Sequence, residues 1–492
     1  MMLTAVHLLL RLTGTSFQVY LSGKIGAEGI GLLQLTLSAG TFAMVAGIAG
    51  IRTSTMYLTA EELGRGRPEN IPWVLSACIR YALVTGGSVA LLMTIFAPRI
   101  AEDLIGNTKT VHALRLFAGS LCVNCLCGVM TGYFTAECRI GMLAAVEVAE
   151  QLLSMTVTVL CLIFWAGTDP IRASESVILG SSAGACVTLM CLVGLRIRER
   201  GPCGPQIEIR SRLTATAVPL ALADILRSGI TTLENMMVPR RLSLAQGISG
   251  PLASFGILTG MVFPVLMFPA CILHALADLL IPEMAHCAAA EHHERIRHLV
   301  RKCLMLALLY GIFFSGGMFL VAEVLCQKLF NEPEAGTVLK RYAILVPMLY
   351  CDSIVDAMTK GLGQQRICVR YNIMTSALDI AGLYVLLPRY GMDGYFISFL
   401  ITHLINFFLS LRRLLMITSL SLNWGTAIRT VLSGIVCTAL CAYTATPWLR
   451  VSLFAVCLSC TLTVSGVLNT NDLTWSKDIL NQKWQKKATV HT

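Results

Sequence analysis

The stretch LTATAVPLALADILRSGITTLENMMVPRRL, residues 213–242, followed after a short polar gap by SFGILTGMVFPVLMFPACILHALADLLIPEM, residues 254–284, decides the reading of the chain. Each is an apolar run long enough to cross a bilayer core, which takes about 20 helical residues. Yet the pair carries Asp224, Arg227, Glu234, His274 and Asp278, where lipid makes charge and polarity costly. Such side chains have to face protein or water. The prolines at 219, 264 and 269 each free a backbone carbonyl that neighbouring protein or water must satisfy. The two segments therefore read as the wall of a cavity, with half a bundle on either side.

The whole chain supports a membrane reading. Of its 492 residues, 55% are hydrophobic and 13% charged, and the mean hydropathy is +0.71, well beyond the roughly 45–50% apolar usage of soluble domains. The length allows about fourteen spans of about 20 residues each and no sizeable soluble domain. The first apolar stretch has no basic segment before it and no small-residue cleavage site, so it reads as a helix and not as a leader. The 19 cysteines fall mostly within apolar spans and read as small buried hydrophobes.

Apolar periodicity predicts an all-α protein with spans near 2–22, 30–58, 73–97, 111–135, 142–166 and 175–197. A second set follows near 213–239, 252–284, 300–325, 339–361, 367–388 and 391–415, with two more near 426–444 and 448–468. The expected division is a first lobe over 1–199, a charged linker over 200–212, a second lobe over 213–417, two added helices over 418–470 and a tail over 471–492. Basic residues concentrate on one side if both termini are cytoplasmic, the linker contributing Arg200, Arg210 and Arg212. The net charge of +10 is then topology and contact with anionic membrane lipid, and it calls for no nucleic acid. A shift of about 225 residues lays the segment from Ser76 beside the segment from Arg301, with Cys78 over Cys303 and Arg115 near Arg341. Repeats of six helices run parallel, and sites in such proteins lie between the halves.

Several charged residues sit inside the spans. Arg11, Arg52 and Arg227 are candidates to bind phosphate, because a guanidinium forks onto phosphate oxygens. Snorkelling toward an interface explains Arg52 equally well. On the helix from 213, Asp224, Arg227, Thr231 and Glu234 share a face; Asp224 and Arg227 are able to neutralise each other, and Glu234 has no partner at helical spacing. Glu147, Glu150, Asp352, Asp356 and Asp379 are further intramembrane acids, with Asp356 and Lys360 spaced for an ion pair. Asp224, Glu234, Asp379, Glu147 and Glu150 are the candidates to couple transport to Na+ or H+. The segment HCAAAEHHERIRH from His286 lacks a metal-ligand spacing and reads as a solvated loop. No phosphate-binding glycine loop, nucleophile elbow or cofactor signature appears, so the chain reads as no enzyme.

GAEGIG at 26–31, AGI at 49–51 with AEE at 60–62, VPRRL at 238–242 and GILTGMVFPVLMFP at 256–269, with Pro282 and Glu283 beyond, resemble the stage V sporulation protein B family. That family stands in the multidrug/oligosaccharidyl-lipid/polysaccharide (MOP) superfamily beside the lipid II flippases and the MATE exporters. The resemblance implies a V-shaped pair of six-helix lobes with two added helices. It also implies alternating access for a polyprenyl-pyrophosphate-linked saccharide. The protein is expected to work as a monomer, with helices 13 and 14 guiding the polyprenyl tail. Arg11 with Gly14 resembles the arginine-bearing first helix of lipid II flippases, although Phe17 stands where a second arginine is usual. Arg52 follows AGI where the sporulation family commonly has proline. Glu234 and Asp379 fall near the sodium-site positions of helices 7 and 11 without the usual aspartate-plus-asparagine pattern. The leading expectation is a flippase in sporulation or cell-envelope polysaccharide synthesis. The alternatives are a MATE-like cation-coupled exporter and a non-transporting scaffold.

Overall fold

A computed structural model describes residues 2–48, 50–167, 169–198, 209–245, 250–444 and 446–464. Most of the expected linker and the whole tail over 471–492 lie outside the described residues. Among those residues there is no strand. The helices are α1 (Met2–Ile48), α2 (Ile51–Gly64), α3 (Ile71–Arg99), α4 (Val111–Ala136), α5 (Ile140–Cys161), α6 (Pro170–Arg198), α7 (Arg210–Leu242) and α8 (Pro251–Gly256). They continue with α9 (Phe263–Met267), α10 (Ala270–Ala289), α11 (His293–Phe330), α12 (Pro333–Ala343), α13 (Val346–Gly361), α14 (Gln365–Thr418), α15 (Trp424–Cys441) and α16 (Pro447–Val464).

Among the described residues ten segments are long and apolar enough to cross a membrane, and the protein is a multi-pass membrane protein. Over the described residues the fourteen expected spans fall mainly on helix, with informative differences at their ends, and residues 465–468 of the last span lie outside the described residues. Helix α1 is two helices joined at Gly26 (φ 76°), and α14 is two joined at Gly391 (φ 57°). Both residues take a backbone region that glycine alone enters cheaply. The expected span over 30–58 is divided by Gly50 (φ 68°) into the end of α1 and the start of α2. The span over 252–284 runs through α8, a π-helical turn (Ile257–Val262), α9 and α10. It breaks before Ala270, where Pro269 has no N–H to continue the ladder. Pro347 similarly opens α13 after α12 has ended.

The structure forms two compact units that do not follow chain order. Among the described residues the first falls within 1–275, 329–335 and 369–405, and the second within 276–328, 336–368 and 406–464. In the first unit Ile51, Leu58, Val74, Cys78, Val129, Tyr133, Leu192 and Leu213 form a buried core joining α2, α3, α4, α6 and α7. The second arm of α1 meets α8 backbone to backbone: a methyl group on Gly256 would lie 1.9 Å from the Ala27 carbonyl oxygen. Small residues allow such approaches where no hydrophobic effect drives helices together. In the second unit Ile312, Leu320, Cys437, Phe454 and Leu458 join α11, α15 and α16. Leu91, Leu92, Ile95 and Phe164 point outward, as side chains bathed in lipid do.

The entry of α7 into the first unit is fixed by ions. Arg212 Nη1 donates to Glu62 Oε1 at 2.8 Å and Nη2 to Glu61 Oε2 at 2.6 Å. Asn70 Nδ2 donates to the other Glu62 oxygen at 2.8 Å, and Arg65 pairs with Glu61 at 2.6 Å. Glu62 is only 1% exposed, so its charge rests on these donors.

Candidate functional site

Helix α7 carries the site, and hydrogen bonds to the second arm of α1 set its position. Asn235 Nδ2 donates to Ser38 Oγ at 2.8 Å and Thr232 Oγ1 to the Ser38 carbonyl at 3.3 Å. Further along, the Arg241 guanidinium lies 3.3 Å over the Tyr384 ring, a cation–π contact that holds α7 to the first arm of α14.

Between those anchors Glu234 meets Asp379, the two carboxyls lying within hydrogen-bonding reach. Asp379 is 8% exposed. Ser398 Oγ donates to its Oδ1 at 2.6 Å, and Thr402 Oγ1 stands 3.2 Å from the same oxygen. Both hydroxyls come from the second arm of α14, one turn apart. Gly382, one turn after Asp379, makes room for them: a methyl group there would stand 2.5 Å from Ser398 Oγ. His403 neighbours Asp379, and its ring lies 4.0 Å from that of Phe399. Phe399 in turn contacts Phe263 and Tyr395, at 5.4 Å and 6.3 Å between ring centres. The result is a carboxyl pair with hydroxyl donors on Asp379 and an aromatic cluster nearby. Chemically, two carboxyls this close sit together by sharing a proton or a cation.

About two turns toward the start of α7 lies a second feature. Val45, Ile48, Gly50, Asp224, Arg227, Ser228 and Thr231 line a cleft of about 330 Å³. The left-handed turn at Gly50 presses the chain against α7, where a methyl group would stand 2.9 Å from the Ala217 carbonyl oxygen. Asp224 and Arg227 are both exposed into this space. No ion pair joins them among the described residues.

The remaining candidates are spread through the chain. Arg11 is exposed on the first arm of α1 near Cys271, and that arm is tied to α5 by Gln151 Nε2 donating to the Leu10 carbonyl at 2.9 Å. Arg52 is exposed and is not among the residues that line the cleft; its backbone oxygen packs on Gly132. Glu150 accepts a hydrogen bond from Thr188 at 2.8 Å, and Glu147 is half-buried one turn away. Asp356 pairs with Lys360 at 2.5 Å, and Asp352 accepts from Asn406 Nδ2 at 3.2 Å. The structure thus joins Glu234 to Asp379, places Asp224 beside Arg227, and leaves Glu147 and Glu150 with other neighbours. Around the His286 segment, Arg295 pairs with Glu283 at 2.6 Å and Arg297 with Glu294 at 2.7 Å. No group of three or more His, Cys, Asp or Glu side chains is arranged for a metal ion among the described residues.

Sequence reasoning did not single out Ser398, Thr402, His403 or Gly382. The available signal was the polar spacing i, i+4 within SFLITH. Nor did it pair Arg212 with Glu62.

No protein-family model matches the chain. It is homologous to stage V sporulation protein B of Bacillus subtilis (strain 168), with 22% identity over 408 residues, covering 79% of this chain and 77% of that protein. Among solved structures, the lipid II flippase MurJ in an inward closed conformation matches with a TM-score of 0.71 and 11% identity, covering 94% of this chain and 98% of MurJ. An inward-facing multidrug resistance MATE transporter of the MOP superfamily matches with a TM-score of 0.69 and 14% identity, covering 85% and 98% respectively. The fold is therefore the all-helical fold of these membrane transporters.

Proposed function

We propose that this protein is a transporter of the flippase kind, carrying a polyprenyl-pyrophosphate-linked cell-envelope saccharide from the cytoplasmic to the outer leaflet by alternating access. The observation that carries the reading is the cleft at Arg227, where a guanidinium with no ion-pair partner among the described residues is exposed beside Asp224, Ser228 and Thr231 inside a membrane span. An arginine held there without a protein counterion suits an anionic substrate, and its fork matches phosphate oxygens. Arg11, exposed on the first arm of α1, is the second anion contact, and Arg52 the third. Two lobes over 1–199 and 213–417 would rock about the substrate, with α15 and α16 guiding the polyprenyl tail. Both termini would then be cytoplasmic.

Coupling is assigned to Glu234 and Asp379, which bind Na+ or exchange H+ during the cycle. The acids Glu147 and Glu150, one turn apart on α5 with Thr188 donating to Glu150, are the second candidates for this role. The rival exporter reading draws support from the fold shared with the MATE transporter. Retention of lipids by the purified protein, followed by native mass spectrometry, separates the two. Retention of a polyprenyl-pyrophosphate saccharide, weakened by Arg227→Gln, is the expected result. Retention of organic cations with no lipid pyrophosphate would overturn the flippase reading.

A further inference from the structure

We infer that the cleft on α7 recognises a phosphate and an ammonium group together, so that the carried saccharide bears an unacetylated amino sugar next to its pyrophosphate. The inference rests on the flippase reading for the phosphate half and adds Asp224 for the other half.

Asp224 and Arg227 are three residues apart on one helix, which sets their Cβ atoms roughly 5–6 Å apart on the same face. At that spacing an ion pair along the helix would be the ordinary outcome, and it is not formed. Both charges instead face the same cleft, whose other walls are the apolar Val45 and Ile48, the backbone turn at Gly50, and the hydroxyl residues Ser228 and Thr231. A purely anion-selective cleft gains nothing from an exposed carboxylate beside its arginine, since that charge repels the phosphate. A cation-selective cleft is likewise weakened by the arginine. A ligand carrying both charges meets each with its opposite. The volume of about 330 Å³ is at the small end of ligand pockets, which fits one sugar phosphate and not a longer saccharide. Ser228 and Thr231 are placed to bond sugar hydroxyls or the remaining phosphate oxygens. Asp224 therefore belongs to substrate selection, while the pair Glu234 and Asp379, elsewhere on α7, is left to the coupling ion.

The test uses the full-length protein in detergent and compares polyprenyl-pyrophosphate glucosamine with its N-acetyl counterpart by native mass spectrometry. The wild type should retain the free amine about tenfold better, the scale of one charge-assisted hydrogen bond in a partly desolvated site. Asp224→Asn should bring that ratio to about one. Asp224→Glu, which keeps the charge, should preserve a preference. Equal retention of the two lipids by the wild type overturns the inference and leaves the flippase reading standing. Retention of neither overturns both. A preference that survives Asp224→Asn also overturns it, because Asp224 then serves only to offset Arg227. Phosphatidylethanolamine against phosphatidylglycerol, run alongside, separates the two sources of a phosphate with an ammonium: a preference confined to the bilayer lipid overturns the assignment to a saccharide.

Discussion

Replacing Arg212 by alanine should destabilise the first unit by roughly 2–3 kcal/mol. Arg212 spends two charged hydrogen bonds on two different carboxylates, at 2.8 Å and 2.6 Å, and its removal leaves Glu62, with a side chain 2% exposed, holding the Asn70 donor and the more distant Arg65, 4.0 Å away. Breaking a buried pair costs about 3–5 kcal/mol, because the abandoned charge stays buried. The figure is lowered here because the Arg212 side chain is 34% exposed and solvent screens part of the interaction. Lysine keeps the charge but not the fork, so Arg212→Lys should recover about half of the loss. The assay is unfolding in detergent followed by intrinsic tryptophan fluorescence, with a double-mutant cycle against Glu62→Gln. A coupling of roughly 1–2 kcal/mol is expected for residues in direct contact. Strict additivity, or an Arg212→Ala protein as stable as the wild type, would refute the claim that these ions fix the start of α7.

Other outcomes follow from the same geometry. Glu234→Gln should change the Na+ or H+ dependence of lipid transport in proteoliposomes while the purified protein stays folded; unchanged dependence removes the carboxyl pair from coupling. Arg11→Ala should lower retention of lipid pyrophosphates with normal expression, and full retention takes Arg11 out of the substrate path. Gly256→Ala, whose methyl would sit 1.9 Å from the Ala27 carbonyl oxygen, should force α1 and α8 apart by more than 1 Å and cost about 1–3 kcal/mol. A thermal unfolding temperature equal to that of the wild type would contradict the close packing described.

Much of the fold was legible because bilayer thickness imposes a length on every span, and composition alone fills 492 residues with about fourteen of them. The interruptions were less so. Gly26 and Gly391 lie in glycine-containing stretches that read equally well as loops, and only the backbone shows each to be a single-residue joint. The cost of intramembrane charge picked out Glu234 and Asp379 separately. Their meeting depends on the packing of α7 against α14, which no local pattern encodes. Ser398 and Thr402 stayed hidden because hydroxyl residues in helices commonly bond the carbonyl one turn back, as Thr36 does to Leu32 at 2.9 Å. Arg212 and Glu62 stayed hidden for a different reason: charges at span ends are accounted for by membrane topology, and nothing in that rule pairs them.

The joint at Gly391 bears on how the chain enters the bilayer. Asp379 stands on one arm of α14, and Ser398 and Thr402 stand on the other, with one glycine between the arms and no loop to let them separate. During insertion the aspartate therefore moves as part of a helical hairpin that brings two hydroxyls to it, not as a lone acid on a single helix. Part of the hydration it gives up is replaced by its own hairpin, so this acid carries two of its hydrogen-bond donors with it into lipid.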